Sequence, residues 1–129
     1  MYNRTPMVKN KKKTKYTAGG HKLKIKRSNT GLGLFTEKEI PKDSCIIEYF
    51  GRIISKEEEY TSNSKYLFEI NSQKTIDGAT RENVARYINH SCRPNCKPKI
   101  YKNQVYILAI RKIRLGEELC YDYGKEYFN

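Results

Sequence analysis

The chain has no tryptophan, two methionines and four cysteines among its 129 residues. It holds no run of the roughly 18 apolar residues that a membrane-crossing helix needs, so no membrane partner is expected. Its start, Met1-Tyr2-Asn3-Arg4-Thr5-Pro6, lacks the apolar stretch of a secretory signal, and a soluble, intracellular protein is expected. Cys45, Cys92, Cys96 and Cys120 are too few and too irregularly spaced for a disulfide framework. Acids are absent only locally. Residues 1–27 hold ten Lys/Arg and no Asp or Glu, whereas residues 28–129 carry sixteen basic against fourteen acidic side chains, a net of +2. Most of the formal charge of +12 therefore belongs to one end. Such an arm is either an electrostatic handle for phosphate or another acidic surface, nucleic acid included, or a solvated tail.

What is present is a series of short strand-like segments. Residues 1–20 read as a basic, extended, flexible arm ending at Gly19-Gly20. Leu23, Ile25 and Arg27 alternate with lysines as a strand does, Ser28-Asn29-Thr30-Gly31 is a turn, and Leu32 to Thr36 is a second strand. Cys45 to Ile54 reads as one buried strand interrupted near Gly51, and Ser55 caps a single helical turn over Lys56 to Tyr60. Tyr66 to Asn71 and Thr75-Ile76 are strands. Thr80 is placed to cap a short helix over Arg81 to Ile88 with Val84, Tyr87 and Ile88 on one face. Lys97 to Tyr101 and Gln104 to Lys112 form a hairpin about Lys102-Asn103, its second strand apolar on both faces and so buried on both. Leu119 to Tyr123 is the last strand. The expectation is a mainly β domain with short helices over residues 21–129, preceded by the arm.

Two segments carry chemistry. Arg86-Tyr87-Ile88-Asn89-His90-Ser91-Cys92-Arg93-Pro94-Asn95-Cys96 sets an amide beside an imidazole at an element end, a pair suited to holding a nucleoside edge. Gly116-Glu117-Glu118-Leu119-Cys120-Tyr121-Asp122-Tyr123-Gly124 brings two tyrosines into one strand. Gly31-Leu32-Gly33 lets backbone approach a ligand closely, although a lone Gly-x-Gly is a common turn. Eleven tyrosines, among them Tyr49, Tyr66, Tyr87, Tyr121 and Tyr123 near turns and strand ends, can wall a channel that excludes water. Inside it a lysine amine loses its proton more readily, because desolvation lowers its pKa from about 10.4. Cys92 and Cys96 with His90 resemble half a zinc site, but Cys45 and Cys120 do not complete a ligand pattern, so no metal is expected. Asp77 and Asp122 read as acids that tie strands to loops, ahead of an acid/base pair.

Taken together these segments resemble, in order along residues 21–127, the SET-domain protein lysine methyltransferases, in particular compact histone lysine methyltransferases. The further matches are Glu48-Tyr49-Phe50-Gly51, Tyr66-Leu67-Phe68 and Asp77 to Glu82. The resemblance implies a β-clip-like fold of small sheets whose last strand threads under the Asn-His-Ser-Cys segment as a pseudoknot. It implies S-adenosylmethionine as methyl donor, with Gly31, Leu32, Gly33 and Tyr66 at its methionine part and Asn89 and His90 at the nucleoside. Tyr123 is then the catalytic tyrosine and Tyr49 the lining of the lysine channel. Tyr121 stands where the family has Phe or Tyr, and a Tyr there implies monomethylation or dimethylation. The implied substrate is a lysine-bearing protein, a histone or histone-like basic protein, in the nucleus or on chromatin (a host's nucleus for a viral or bacterial chain), with the enzyme a monomer or homodimer. Two departures stand out. No cysteine-rich tail follows the domain, so Cys92 is expected as a packed thiol, and Tyr127 and Phe128 as closures of the pocket. Since the enzyme is itself basic, Glu48, Glu69, Asp77, Glu117 and Glu118 are expected to supply an acidic substrate groove. The competing readings are a catalytically silent SET-like binding module and a small basic nucleic-acid-binding protein.

Overall fold

The computed structural model describes Tyr16 and residues 18–125. Most of the expected arm over residues 1–20, and Tyr127 and Phe128, lie outside the described residues. Four small sheets account for the strands. β1 (Leu23–Ser28) and β2 (Gly31–Thr36) form an antiparallel ribbon. β3 (Cys45–Tyr49), β8 (Cys96–Tyr101) and β9 (Gln104–Ala109) form an antiparallel sheet in the order β3-β9-β8. β4 (Arg52–Ser55), β5 (Leu67–Glu69) and β6 (Lys74–Asp77) form another in the order β4-β6-β5. β7 (Asn89–His90) and β10 (Cys120–Tyr121) are a short parallel pair, and α1 (Lys56–Thr61) is the single α-helix among the described residues.

The central strand β9 has partners on both edges and apolar residues on both faces, and Val105, Tyr106 and Ile107 are each 0% exposed. Each such side chain contributes on the order of 1.5–3 kcal/mol by leaving water. Its hairpin with β8 closes through Lys102 (φ 50°) and Asn103 (φ 63°), as a two-residue turn with two left-handed positions requires. Ser55 caps α1 as expected, its hydroxyl accepting the Glu58 N–H at 3.1 Å. The ring of Tyr16 lies 5.5 Å from both Tyr101 and Tyr106, and the Gly19 N–H donates to the Ile46 carbonyl at 3.3 Å.

Three expectations need correction. Cys45 to Ile54 is two strands in different sheets. The break is Gly51, where a Cβ would lie 2.0 Å from the Asp77 carbonyl oxygen, so only glycine lets the chain pass there. Residues 81–88 do not form an α-helix. A 3-10 turn over Val84–Tyr87 stands there, with Ala85 as its buried residue and Ile88 buried just after it. The reason is Asn83, fully buried, whose Oδ1 accepts the Phe50 N–H (3.2 Å) and whose Nδ2 donates to the Gly78 carbonyl (3.0 Å). That clamp pins the start of the segment, and the Thr80 hydroxyl bonds the Glu82 carboxylate instead of capping backbone. Finally, Cys92 is exposed. The Arg93 N–H closes a turn on the Ser91 hydroxyl (3.0 Å) and leaves Cys92 at its crest.

The parallel pair β7–β10 is the feature that brings the two motif segments together. Asn89 faces Cys120 and His90 faces Tyr121 in register, and the Ser91 N–H reaches the Tyr121 carbonyl at 3.1 Å. Asn95, 2% exposed, seals the crossing. Its Nδ2 donates to the Glu118 carbonyl (2.8 Å) and its Oδ1 accepts the Cys120 N–H (2.9 Å). Residues 89–96 thus receive the last strand, in keeping with the expected pseudoknot.

Candidate active site

A cavity of about 320 Å³ opens between β5, the 3-10 turn and β10. Its walls include Tyr49, Tyr66, Phe68, Ile88, Tyr121 and Tyr123, and its charged lining is Lys65, Glu69, Arg86 and Lys125. The rings form a continuous aromatic series. Centroids are 5.5 Å apart for Tyr49 and Phe68, 6.3 Å for Phe68 and Tyr121, and 4.8 Å for Tyr121 and Tyr123. All three tyrosines expected to be catalytic therefore share one chamber, and Tyr66, expected on the donor side, shares it too.

Hydroxyl positions are fixed by backbone carbonyls. Tyr49 donates to the Tyr66 carbonyl at 2.8 Å, and Tyr123 donates to the Ile88 carbonyl. Burial pushes the Tyr49 hydroxyl far above its ordinary pKa, with the neighbouring Tyr123 and Asp77 adding to the effect. Tyr123 is also raised, first by burial and then by the Glu118 charge. Both stay neutral hydroxyls in neutral solution, able to donate and accept hydrogen bonds.

A second cluster adjoins this chamber. The two hydrogens of the Asn89 amide go to the Leu32 carbonyl (3.0 Å) and to Glu118 Oε2 (2.7 Å), while Glu118 Oε1 accepts the Ser28 hydroxyl (2.8 Å). Glu118 lies so close to Gly33 that a Cβ there would be 2.3 Å from Oε2, so any larger residue at this position would displace the Glu118 carboxylate. Around Gly31 a Cβ would meet nothing within 4 Å, and Leu32 is 51% exposed. Gly31 and Leu32 thus form an open backbone edge beside Asn89, with Gly33 buried next to it under Glu118. His90 joins the two clusters: its Nδ1 accepts the Tyr123 N–H (3.0 Å) and its ring is 5.5 Å from that of Tyr123. Because Nδ1 is an acceptor, the ring proton sits on Nε2, which lies 3.5 Å from Cys92 Sγ.

Of the five acids expected in a substrate groove, only Glu69 lines the cavity. Glu48 is buried and accepts from Gln104 (3.2 Å), because β9 covers it. Asp77 accepts the Ser64 hydroxyl (2.7 Å) and the Ala79 N–H (3.2 Å), a strand-to-loop tie. Glu117 pairs with Arg111 at 2.8 Å, and chiefly that bond lowers its pKa to about 2. Glu118 belongs to the cluster of Asn89 and Ser28. Asp122 accepts the Gly124 N–H (2.9 Å) and so holds the turn that carries Tyr123.

Three residues of the site escaped sequence reasoning: Asn83, Asn95 and Arg86. The Arg86 guanidinium lies over the rings of Tyr66 (4.9 Å) and Tyr87 (4.8 Å) and donates to the Ala79 carbonyl (2.7 Å) and the Tyr87 hydroxyl (2.8 Å). Its place three residues before Asn89 was the available signal.

Comparison with known proteins agrees with this geometry. The SET domain family matches residues 31–124. The chain is 40% identical over 105 residues to the Drosophila melanogaster protein "Histone-lysine N-methyltransferase trr", covering 72% of this chain and 4% of that protein. It is 41% identical over 105 residues to "Histone-lysine N-methyltransferase, H3 lysine-4 specific" of Schizosaccharomyces pombe, covering 71% of this chain and 11% of that one. It therefore spans only a small part of the length of these relatives. Among solved structures it is similar to a chain of "ctPRC2 in an autoinhibited conformation bound to S-adenosylmethionine", with TM-score 0.73 and 30% identity over 84% of this chain and 16% of that one.

Proposed function

The chain belongs to the SET-domain family, and on that premise we propose that it is a protein-lysine N-methyltransferase using S-adenosylmethionine, acting on a histone or histone-like protein. The observation that carries the proposal is Tyr123. Its hydroxyl is held inside an aromatic chamber, while its backbone N–H is bonded to the histidine of the Asn-His segment.

S-adenosylmethionine, when bound, supplies a methyl group made electrophilic by its sulfonium. The residues fit such a donor on their own chemistry. With both amide hydrogens engaged, Asn89 has its side-chain oxygen left as an acceptor for an ammonium group, and the exposed edge at Gly31 and Leu32, next to the buried Gly33, lets a ligand approach the backbone. His90 adds a flat ring for the nucleoside side. On the acceptor side, the buried rings of Tyr49, Phe68 and Tyr121, with the half-exposed Tyr123 at their edge, keep water away and favour the neutral form of an entering amine, so no dedicated base is required. The hydroxyl of Tyr123 and the carbonyl of Ile88 present oxygen atoms where weak C–H···O contacts with a polarised methyl can form. Alignment and dehydration provide most of the acceleration.

The test is incubation with labelled donor and core histones. Incorporation is expected, and Tyr123→Phe is expected to reduce it more than about 100-fold, as loss of an oriented polar group at a reacting centre does. Salt-dependent nucleic-acid binding with no incorporation would favour the small basic binding protein instead. The product is proposed to be monomethyl-lysine, extending at most to dimethyl-lysine, because the buried Tyr121 packs 4.8 Å from Tyr123 and its hydroxyl takes up room near the amine. Mass spectrometry of the product is expected to show Tyr121→Phe advancing to higher methylation. Efficient trimethylation by the unaltered protein would refute this. The basic residues 1–27 are proposed to contact nucleic acid on the same chromatin particle, with the protein proposed to act in a nucleus.

A further inference from the structure

The charges around the cavity do not suit a lysine embedded in a basic run. Lys65, Arg86 and Lys125 line it, and the one acid lining it among the described residues, Glu69, is ion-paired with Lys56. None of the other acids expected nearby lines the cavity: Glu117 is ion-paired with Arg111, while Glu48, Asp77 and Glu118 keep their charge but bond Gln104, Ser64, and Ser28 with Asn89, outside its wall. Lys65 and Lys125 are exposed on their flanks of the opening. The Arg86 guanidinium is held by the Ala79 carbonyl and the Tyr87 hydroxyl, so it contributes field more than contact.

We propose that this cationic rim is a specificity element, and that the preferred substrate carries a carboxylate within a few residues of the methyl-accepting lysine. This rests on the methyltransferase reading given above and names its substrate class. An aspartate or glutamate beside the target lysine pairs with Lys65 or Lys125, whereas arginine or lysine there meets like charge. The same cations disfavour a second positive charge in the chamber, which helps the entering amine to shed its proton. Exposed ion pairs are individually weak, so two of them support a preference of about five- to tenfold, falling as salt screens them.

The test uses the full chain and three labelled peptides that share one central lysine, flanked by aspartate, alanine or arginine. Binding is read by fluorescence anisotropy in the presence of S-adenosylhomocysteine, and methylation by mass spectrometry. The aspartate peptide is expected to bind about five- to tenfold more tightly than the arginine peptide, and the ratio to approach one at about 0.5 M salt. The double substitution Lys65→Glu with Lys125→Glu is expected to reverse the order. Thermal melting checks its fold, and Lys65→Ala, expected to halve the preference or more, serves if the double variant is unstable. Equal or tighter binding of the arginine peptide, or a ratio unmoved by both variants, overturns the inference. A protein that binds donor and methylates all three peptides alike refutes this inference only. One that neither binds donor nor modifies any peptide or histone refutes the methyltransferase reading beneath it.

Discussion

Tyr49 and Tyr123 are kept neutral by the same cause, loss of water around their hydroxyls, and both ionise above the ordinary tyrosine value of about 10. Neither is therefore a tyrosinate base near neutral pH, and on the proposed function the titrating group that limits reaction is the substrate amine. The ratio kcat/KM is expected to climb steadily from pH 7 to about 9.5 without a descending limb from tyrosine ionisation. A pH–rate profile with labelled donor checks this, and a fall beginning below about pH 9 contradicts it. At this scale the sequence was informative where residues sit together in the chain. Asn89 with His90, and Tyr121 with Tyr123, are adjacent in their motifs and adjacent in the site. Asn83, Asn95 and Arg86 act on backbone groups or rings brought close by folding, and a single polar residue gives no period from which to read such a partner. Cys92 was misjudged for the related reason that its exposure depends on a turn at Ser91 and not on its own apolarity.

Among the elements, the short parallel pair β7–β10 depends on a single buried amide. Asn95 satisfies the Glu118 carbonyl and the Cys120 N–H, and removing it leaves both without their partner. Asn95→Ala is expected to cost about 2–3 kcal/mol, roughly a 5–10 °C drop in Tm, together with a loss of donor affinity as Asn89 and His90 lose their neighbour strand. Differential scanning calorimetry and titration with S-adenosylmethionine measure the two effects. An unchanged Tm would show that the crossing is held by packing alone. Strands β1 and β9 were legible from their residue patterns, β1 from alternation although most of it is exposed, and β9 from apolar residues on both faces, which are buried. β10 lies within the strand expected over Leu119 to Tyr123, whereas β7 had no period of its own to read, since its pairing comes from contact across 29 intervening residues between His90 and Cys120. The helix expected over 81–88 failed because the tertiary clamp at Asn83 outweighed local propensity.

At the scale of the whole molecule, charge is divided between ends and face. Ten basic residues precede Ser28, and the remainder is almost balanced. If the leading segment engages nucleic acid, binding to duplex DNA is expected to weaken steeply and linearly on a log–log plot against salt, and deletion of residues 1–15 to flatten that slope. Equal slopes with and without the segment, measured by anisotropy titration, would assign the interaction to the folded body instead. Charge asymmetry was plain from the sequence, but the positive rim of the cavity was not. It needed the structure to send Glu48, Asp77, Glu117 and Glu118 to other tasks.

The union of residues 89–90 with 120–121 also bears on the order of events during translation. A nascent polypeptide that has emerged only as far as residue 115 possesses the glycine edge, Tyr49 and the Asn-His pair, yet lacks the tyrosines and the partner strand that complete them. The proposed site is therefore completed only when residues 116–124 become available, and all of its missing parts arrive together.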